Sequence, residues 1–139
     1  PEDLLQDIRK LLAADAVDFS IFWRRLSHWV ALQDPADASV RDLFLDRAGI
    51  DAWLLRFTSL HPAESRALAS ARMLAVNPKY VLRNHLGELA IRAARQKDFS
   101  LVANLLKVLQ SPFDEHPQYE SFAGFPPDWA GSIEISCSS

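Results

Sequence analysis

Apolar residues recur at helical spacing, three or four positions apart, through most of residues 1–110. The first stripe ends near Ala14, and Asp18 is placed to cap a second helix whose inner face carries large aromatic side chains. No strand-like alternation occurs except over 132–136, which is too short to form a sheet, and no internal repeat supports a solenoid. The sequence therefore predicts an all-α fold, an irregular bundle of about six to seven helices. The two stripes consist of Leu4, Leu5, Ile8, Leu11 and Leu12, and of Phe19, Phe22, Trp23, Leu26 and Trp29 or Val30.

A glycine and a proline divide the next part of the chain. We predict a short helix from Ser39 to Arg47 that Gly49 breaks, and a second helix from Asp51 to Leu60. Pro62 is placed to open a further helix, since proline is favoured in a first helical turn, and Asn77-Pro78 is predicted to end it, because the residue before proline avoids the α region. The inner faces are predicted to carry Trp53, Leu54 and Phe57 and then Ala67, Leu68, Ala71, Leu74 and Ala75.

The stretch Asn77-Pro78 is typical of a helix start. Asn77 is a favoured N-cap residue, and Pro78 falls at the first helical position, where its missing N–H costs nothing. We predict a helix from Pro78 to about Gln96, and Asp98 as the cap of a last helix. Their buried faces are predicted to be Leu82, His85, Leu86, Leu89 and Ala93, and Leu101, Val102, Leu105, Val108 and Leu109.

From residue 111 the composition changes. Four prolines exclude a long helix, yet aromatic residues lie among them, so the segment is not of disordered composition. We predict a helical subdomain over 1–110 and an extended arm over 111–139 that docks its rings on it. The prolines and rings are Pro112, Pro117, Pro126, Pro127, Phe113, Tyr119, Phe122, Phe125 and Trp129.

Net charge, apolar run length and the histidine and cysteine content exclude several classes of function. The net charge of −3 argues against a general nucleic-acid binder, and no apolar run is long enough to span a membrane. The four histidines show no metal-binding spacing, and one cysteine excludes an internal disulfide and a cysteine-based zinc site. Cys137 is either an unused surface thiol or a redox partner for a cysteine outside this chain. Arginines between aromatic core positions, such as Arg24 and Arg25, are predicted to fix helix packing.

Several motifs occur together in one order. They include Phe22-Trp23-Arg24-Arg25-Leu26, the string Asn77-Pro78-Lys79-Tyr80-Val81-Leu82-Arg83-Asn84, Lys97-Asp98-Phe99, Pro126-Pro127-Asp128-Trp129-Ala130-Gly131, and the ending Ser136-Cys137-Ser138-Ser139. Together they resemble the C-terminal region of the selenoprotein O family, whose members are protein adenylyltransferases on a kinase-like fold. The chain enters a helix at once without an initiator Met, which fits trimming and a piece of a longer protein equally well.

The resemblance implies a function for the parent protein. Family members transfer AMP from ATP to protein Ser, Thr or Tyr hydroxyls with Mg or Mn, using residues upstream of everything resembled here. No catalytic, cofactor-binding or metal-binding residue is therefore carried over. Cys137 is carried over as the redox candidate, and Asn77, Pro78, Arg83, Asn84 and Trp129 are expected to be structural residues of the family motifs.

Two hypotheses follow. In the first, this chain is the C-terminal helical portion of a bacterial cytoplasmic adenylyltransferase, and its partners are the upstream kinase-like core and, for the parent, protein substrates. In the second, it is a stand-alone helical module whose aromatic arm or inter-helix groove binds a partner peptide. Neither hypothesis involves a nucleic acid or a membrane.

Overall fold

A computed structural model describes residues 2–132, and all the regular structure in this range is helical. The α-helices are α1 (Glu2–Ala14), α2 (Phe19–Trp29), α3 (Arg47–Thr58), α4 (Arg66–Val76), α5 (Asn84–Arg95) and α6 (Ser100–Gln110). Short 3₁₀ helices cover Arg41–Leu43, Ala63–Ser65, Pro117–Ala123 and Asp128–Ser132. The predicted all-α class is confirmed over the described residues.

The chain forms two compact units, divided between Asn77 and Pro78. Unit 1 holds α1 to α4, and unit 2 holds α5, α6 and the described part of the predicted arm. The boundary predicted at 110/111 is a different division, and it stays a prediction.

Unit 1 is built around aromatic side chains. Phe22 is fully buried, and its ring meets the rings of Trp23, Phe44 and Trp53 edge-on, with centroids 5.0, 5.6 and 6.2 Å away. The Trp53 ring also stacks on Phe57, and its Nε1 donates to the Leu4 carbonyl at 2.8 Å, which ties α3 to α1. The predicted Asp18 cap is confirmed, since Asp18 Oδ1 accepts from Ile21 N at 3.0 Å. The predicted aromatic stripe of α2 is confirmed at Phe22 and Trp29, which are buried, but not at Phe19.

Unit 2 has a smaller core between α5 and α6. Leu86, Ala90 and Leu105 are buried together, and Phe122 of the arm packs against them. Tyr119 stacks on Phe122 and its hydroxyl donates to Asn104 of α6 at 3.1 Å. The described part of the arm is thus irregular and contacts α6 through these two rings.

The predicted helix from Ser39 to Arg47 is wrong. Only a single 3₁₀ turn forms there, and Gly49 lies in the first turn of α3 instead of ending a helix. Asp15 accepts from the backbone N–H groups of Leu45 and Asp46, and Asp46 caps α3 by accepting from Gly49 N at 2.9 Å. These carboxylates hold the chain out of a helix up to residue 46 and start one immediately after it.

Several expected inner-face residues are exposed, among them Leu5 of α1 and Leu89 of α5, at 41% and 37%. Phe19 of α2 is 61% exposed, Leu68 of α4 is 53% exposed and Leu82 is 61% exposed. In α4 the buried position is Ser70, whose hydroxyl donates to the Ser27 carbonyl of α2 at 2.7 Å. Most of the apolar stripe predicted to face inward on α4 therefore faces outward, since Ala67, Ala71 and Ala75 are exposed as well; its remaining member, Leu74, is half-buried.

Candidate functional site

The motif residues 77–84 are the candidate functional segment, and they do not begin a helix. The predicted helix start at Pro78 is wrong, because α5 begins at Asn84 and residues 78–83 are not helical. Asn77 instead ends α4: its backbone N–H and its Nδ2 both donate to the Met73 carbonyl at 2.9 Å. Its Nδ2 also donates to Ser27 Oγ of α2 at 3.2 Å. Asn77 is therefore a C-cap residue that joins α4 to α2.

Arg24 completes the end of α4 from the side of α2. Its side chain is buried, and Nη1 donates to the carbonyl oxygens of Leu74 at 3.3 Å and of Asn77 at 2.9 Å. The last carbonyls of a helix lack helical partners and lie at the negative end of the helix dipole. A guanidinium there supplies hydrogen bonds to these carbonyls and a positive charge that the dipole attracts. Arg24 is thus a packing residue, which agrees with the prediction for arginines on this helix.

In unit 2, residues 78–83 pair with the start of the arm. The backbone N–H groups of Lys79 and Tyr80 donate to the Pro112 carbonyl at 2.9 and 3.2 Å. The Tyr80 side chain is 2% exposed, and its hydroxyl donates to the His116 carbonyl at 3.1 Å and accepts from His116 N at 3.2 Å. The Tyr80 and His116 rings meet edge-on with centroids 5.2 Å apart. These contacts fix the segment in its non-helical form.

Lys79 holds two carboxylates of the arm. Its Nζ lies 2.6 Å from Glu115 Oε1 and 2.6 Å from Glu120 Oε2. Burial lowers the pKa of Lys79, but the hydrogen bonds to Glu115 and Glu120 outweigh it, so the net pKa is raised above its ordinary value. The lysine stays charged and acts as a clamp between 78–83 and the arm.

The remaining motif residues lie around the first turn of α5. Arg83 precedes the helix as its N-cap residue, with extended backbone, and Asn84 is its exposed first residue. His85 is buried, and the Trp129 ring meets its ring edge-on at 6.2 Å. The Arg92 guanidinium lies 5.8 Å from the centroid of the same Trp129 ring. Trp129 thus packs on α5, although 42% of it remains exposed.

His85 is a buried titratable group of unit 2. Burial and, secondarily, the positive charge of Arg83 lower the pKa of His85 below its ordinary value. Its Nδ1 has no hydrogen-bond partner among residues 2–132. His85 therefore favours its neutral form and packs on the inner face of α5.

Unit 1 also contains an open groove of about 580 Å³. It is lined by side chains that include Trp29, Gln33, Leu55 and Arg66, and by the pair formed by Arg41 and Asp51. Arg41 Nε and Nη2 donate to the two Asp51 carboxylate oxygens, each at 2.9 Å. The hydrogen bond from Arg41 lowers the pKa of Asp51, and the mixed lining favours no single class of ligand.

The predicted site residues lie in separate places. Asn77 belongs to unit 1, whereas Pro78, Arg83, Asn84 and Trp129 belong to unit 2, and their assignment as motif residues stays a prediction. The redox candidate Cys137 lies outside the described residues. Within 2–132 no three His, Cys, Asp or Glu side chains are grouped to hold a metal ion, and no helix is long and apolar enough to cross a membrane.

Sequence reasoning missed the clamp of Lys79 and the anchoring of Tyr80. The partners of Lys79 and Tyr80 lie 36 to 41 residues further along the chain, so no local sequence pattern predicts these contacts. The sequence offered only a weak signal: an aromatic residue, Tyr80, beside a lysine, and glutamates such as Glu115 and Glu120 in the arm.

Comparisons with known proteins point to one kind of relative. The chain is 60% identical over 136 residues to the protein nucleotidyltransferase YdiU of Variovorax paradoxus, and 58% identical to that of Albidiferax ferrireducens. It is 54% identical over 140 residues to the YdiU of Cupriavidus pinatubonensis. These matches cover 98–99% of this chain but only 27% of each relative, so the chain spans about a quarter of their length. No family model matches the chain.

Proposed function

We propose, on the premise that this chain is a C-terminal part of the selenoprotein O family of protein nucleotidyltransferases, that it braces the kinase-like core of a protein adenylyltransferase. The parent would transfer AMP from ATP, with Mg or Mn, to Ser, Thr or Tyr hydroxyls of protein substrates. The observation that carries the proposal is identity of 54–60% over nearly the whole chain to longer nucleotidyltransferases. Because ATP is the substrate, we place the parent in the bacterial cytoplasm.

The bracing role is supported by what the described residues do. The motif side chains are occupied with holding helices and the arm: Asn77 and Arg24 cap α4, and Tyr80 and Lys79 anchor the arm. Groups of this kind, committed to backbone carbonyls and ion pairs within their own unit, are suited to support and not to chemistry. We therefore assign nucleotide binding, metal binding and AMP transfer to the part of the parent upstream of this chain.

Large apolar side chains left on the surface favour a brace over a stand-alone module. Leu32, Leu45, Leu55 and Val76 of unit 1 are 70–85% exposed. A piece that packs on a larger protein exposes such side chains when it is separated from that protein.

The bracing role is tested with the full-length protein and a version that lacks the residues of this chain. We expect the shortened protein to unfold at a lower temperature and to lose most AMP transfer from labelled ATP to protein. Equal unfolding temperature and equal transfer would refute the brace.

Cys137 is proposed as a redox-regulatory residue that pairs with a cysteine in the core. In the full-length protein, Cys137→Ser should abolish any response of AMP transfer to oxidant, while the untreated activity stays as in the wild type. Replacement of Ser136 by Ala is the matched control, since it changes a neighbouring side chain and keeps the thiol. A Cys137→Ser variant that still responds to oxidant would exclude this role.

A further inference from the structure

We infer that His85 and Trp129 form a pH-sensitive latch, in which a proton on His85 releases the 3₁₀ turn Asp128–Ser132 from α5. The inference goes beyond the proposed function and does not depend on it, because both residues of the latch lie in unit 2 of this chain.

His85 is buried in surroundings that suit the neutral ring. The residue is 7% exposed, and its Nδ1 is buried without a hydrogen-bond partner among residues 2–132. In the neutral ring this nitrogen can be the one that carries no hydrogen, whereas in the protonated ring both nitrogens carry one. Protonation would therefore bury an N–H donor without an acceptor, together with a positive charge.

The charged groups on the same helix do not compensate for that charge. Burial and, secondarily, the positive charge of Arg83 at the N-cap lower the pKa of His85. Glu88 follows His85 by one helical turn, but its carboxylate accepts from Arg92 Nε at 3.0 Å. The nearest carboxylate on α5 is thus already committed to a cation.

The elements that pack on α5 supply no bonded carboxylate either. The charged residue of α6 is Lys107, which is a further cation. In the arm, Asp114 and Asp128 are exposed, and the two glutamates described above are paired with Lys79. None of these carboxylates is hydrogen-bonded to His85 Nδ1. A protonated His85 would therefore lie beside cations, without a bonded counter-ion at this nitrogen.

Trp129 is the contact partner that can move away. Its ring meets His85 edge-on with centroids 6.2 Å apart, and the Arg92 guanidinium lies 5.8 Å from its centroid. Trp129 is 42% exposed and belongs to a 3₁₀ helix of five residues, whereas α5 shares a buried apolar core with α6. Segments with little buried apolar contact open before a packed helix does. Release of Trp129 would admit water to the His85 ring and solvate its charge.

The direction of the pH effect follows from proton linkage. The pKa of His85 is lowered while Trp129 is docked, and it should return toward its ordinary value of about 6.5 once water reaches the ring. The released form then binds the proton more tightly, so release is favoured as the pH falls. Between the two pKa values, each pH unit should change the ratio of docked to released protein by up to about tenfold.

Fluorine NMR of the full-length protein tests the latch. 5-Fluorotryptophan is incorporated at Trp129 alone and, in a second sample, at Trp53 of unit 1 alone. From about pH 7.5 to about pH 5, we expect the H₂O–D₂O isotope shift at Trp129, which reports solvent exposure, to rise with a midpoint below about pH 6.5. The Trp53 signal should not change. A Trp129 signal that is independent of pH, or one that changes together with Trp53, would overturn the inference.

Two variants assign the titrating group. His85→Gln keeps a polar side chain of similar size that does not titrate, so the Trp129 signal should no longer respond to pH. Asp128→Asn removes the carboxylate next to Trp129 and should leave the response unchanged. A response that persists in His85→Gln, or that disappears in Asp128→Asn, would overturn the inference.

The titration of His85 in the wild-type protein provides a test that needs no variant. The Cε1 proton of the His85 ring is followed over the same pH range, and its midpoint should coincide with that of the Trp129 signal. Two different midpoints would show that the proton and the release are not linked, and would overturn the inference.

Discussion

Replacing Arg24 by Met should destabilise unit 1 by about 2–4 kcal/mol. The guanidinium is buried and donates two hydrogen bonds from one nitrogen to carbonyls at the end of α4. Each hydrogen bond to a charged group contributes about 1.5–3 kcal/mol, and two that share a donor atom add to less than their sum. Methionine keeps the apolar stem in place, so the loss comes mainly from the unpaired carbonyls and the lost positive charge.

Tryptophan fluorescence during urea unfolding of the 139-residue chain measures this loss. Three of the four tryptophans lie in unit 1, so replacing Trp129 by Phe leaves a signal from unit 1 alone. The free energy of unfolding is then obtained from the midpoint and slope of the transition. The tryptophans of unit 1 are Trp23, Trp29 and Trp53.

Two further variants separate charge from geometry. Arg24→Lys keeps the positive charge but loses the planar fork, so it should recover about half of the loss. Arg9→Met on the exposed face of α1 should change the free energy by no more than about 0.5 kcal/mol. If Arg24→Met and Arg9→Met behave alike, Arg24 does not cap α4 and the reasoning fails.

Three more predictions follow from single contacts. Gly49→Ala should destabilise unit 1 by about 1–3 kcal/mol, because the new Cβ would collide with the Asp46 carboxylate, although alanine normally favours a helix. The control Gly124→Ala, whose new Cβ would have its nearest contact at 3.4 Å, should be nearly neutral in the same urea assay. Because the pKa of His85 is lowered in the folded protein, the unfolded chain binds the proton more tightly, so stability should fall as pH drops below about 6.5; His85→Gln should remove that part of the slope between about pH 7.5 and about pH 5.5. Lys79→Met should cost about 1 kcal/mol or less, since both carboxylates are mostly exposed, and the cost should shrink in high salt; a salt-independent loss would contradict the ion-pair interpretation.

The helical class and the core of unit 1 could be predicted because they depend on local patterns. Apolar spacing predicts the bounds of α1, α2 and α3 to within a few residues. The Asp18 cap is also local, since it joins residues three positions apart. Large aromatic side chains on an apolar helix face are usually buried, whichever helix packs against them, and Phe22, Trp53 and Phe57 are buried here. None of these predictions required knowledge of which helix packs against which.

The end of α4 at Asn77 was predicted, but the non-helical form of residues 78–83 was not, because distant partners decide it. Asn77-Pro78 is typical of both a helix end and a helix start, and the choice depends on Met73 and Ser27 on one side and on Pro112 on the other. Tertiary contacts override local preference at such positions.

Suppose that the described motif residues serve only to hold this chain together. Their variants should then lower AMP transfer only by unfolding part of the protein. Arg24→Met in the full-length protein should then lower transfer in proportion to the fraction unfolded, and cooling the assay should restore it, while the KM for ATP stays unchanged. A residue that touched substrate would behave differently, because it would lower kcat or raise the KM at every temperature without a loss of stability. A temperature-independent loss in Arg24→Met would therefore show that the end of α4 takes part in the reaction, and it would remove the division between a catalytic core and a bracing C-terminal region.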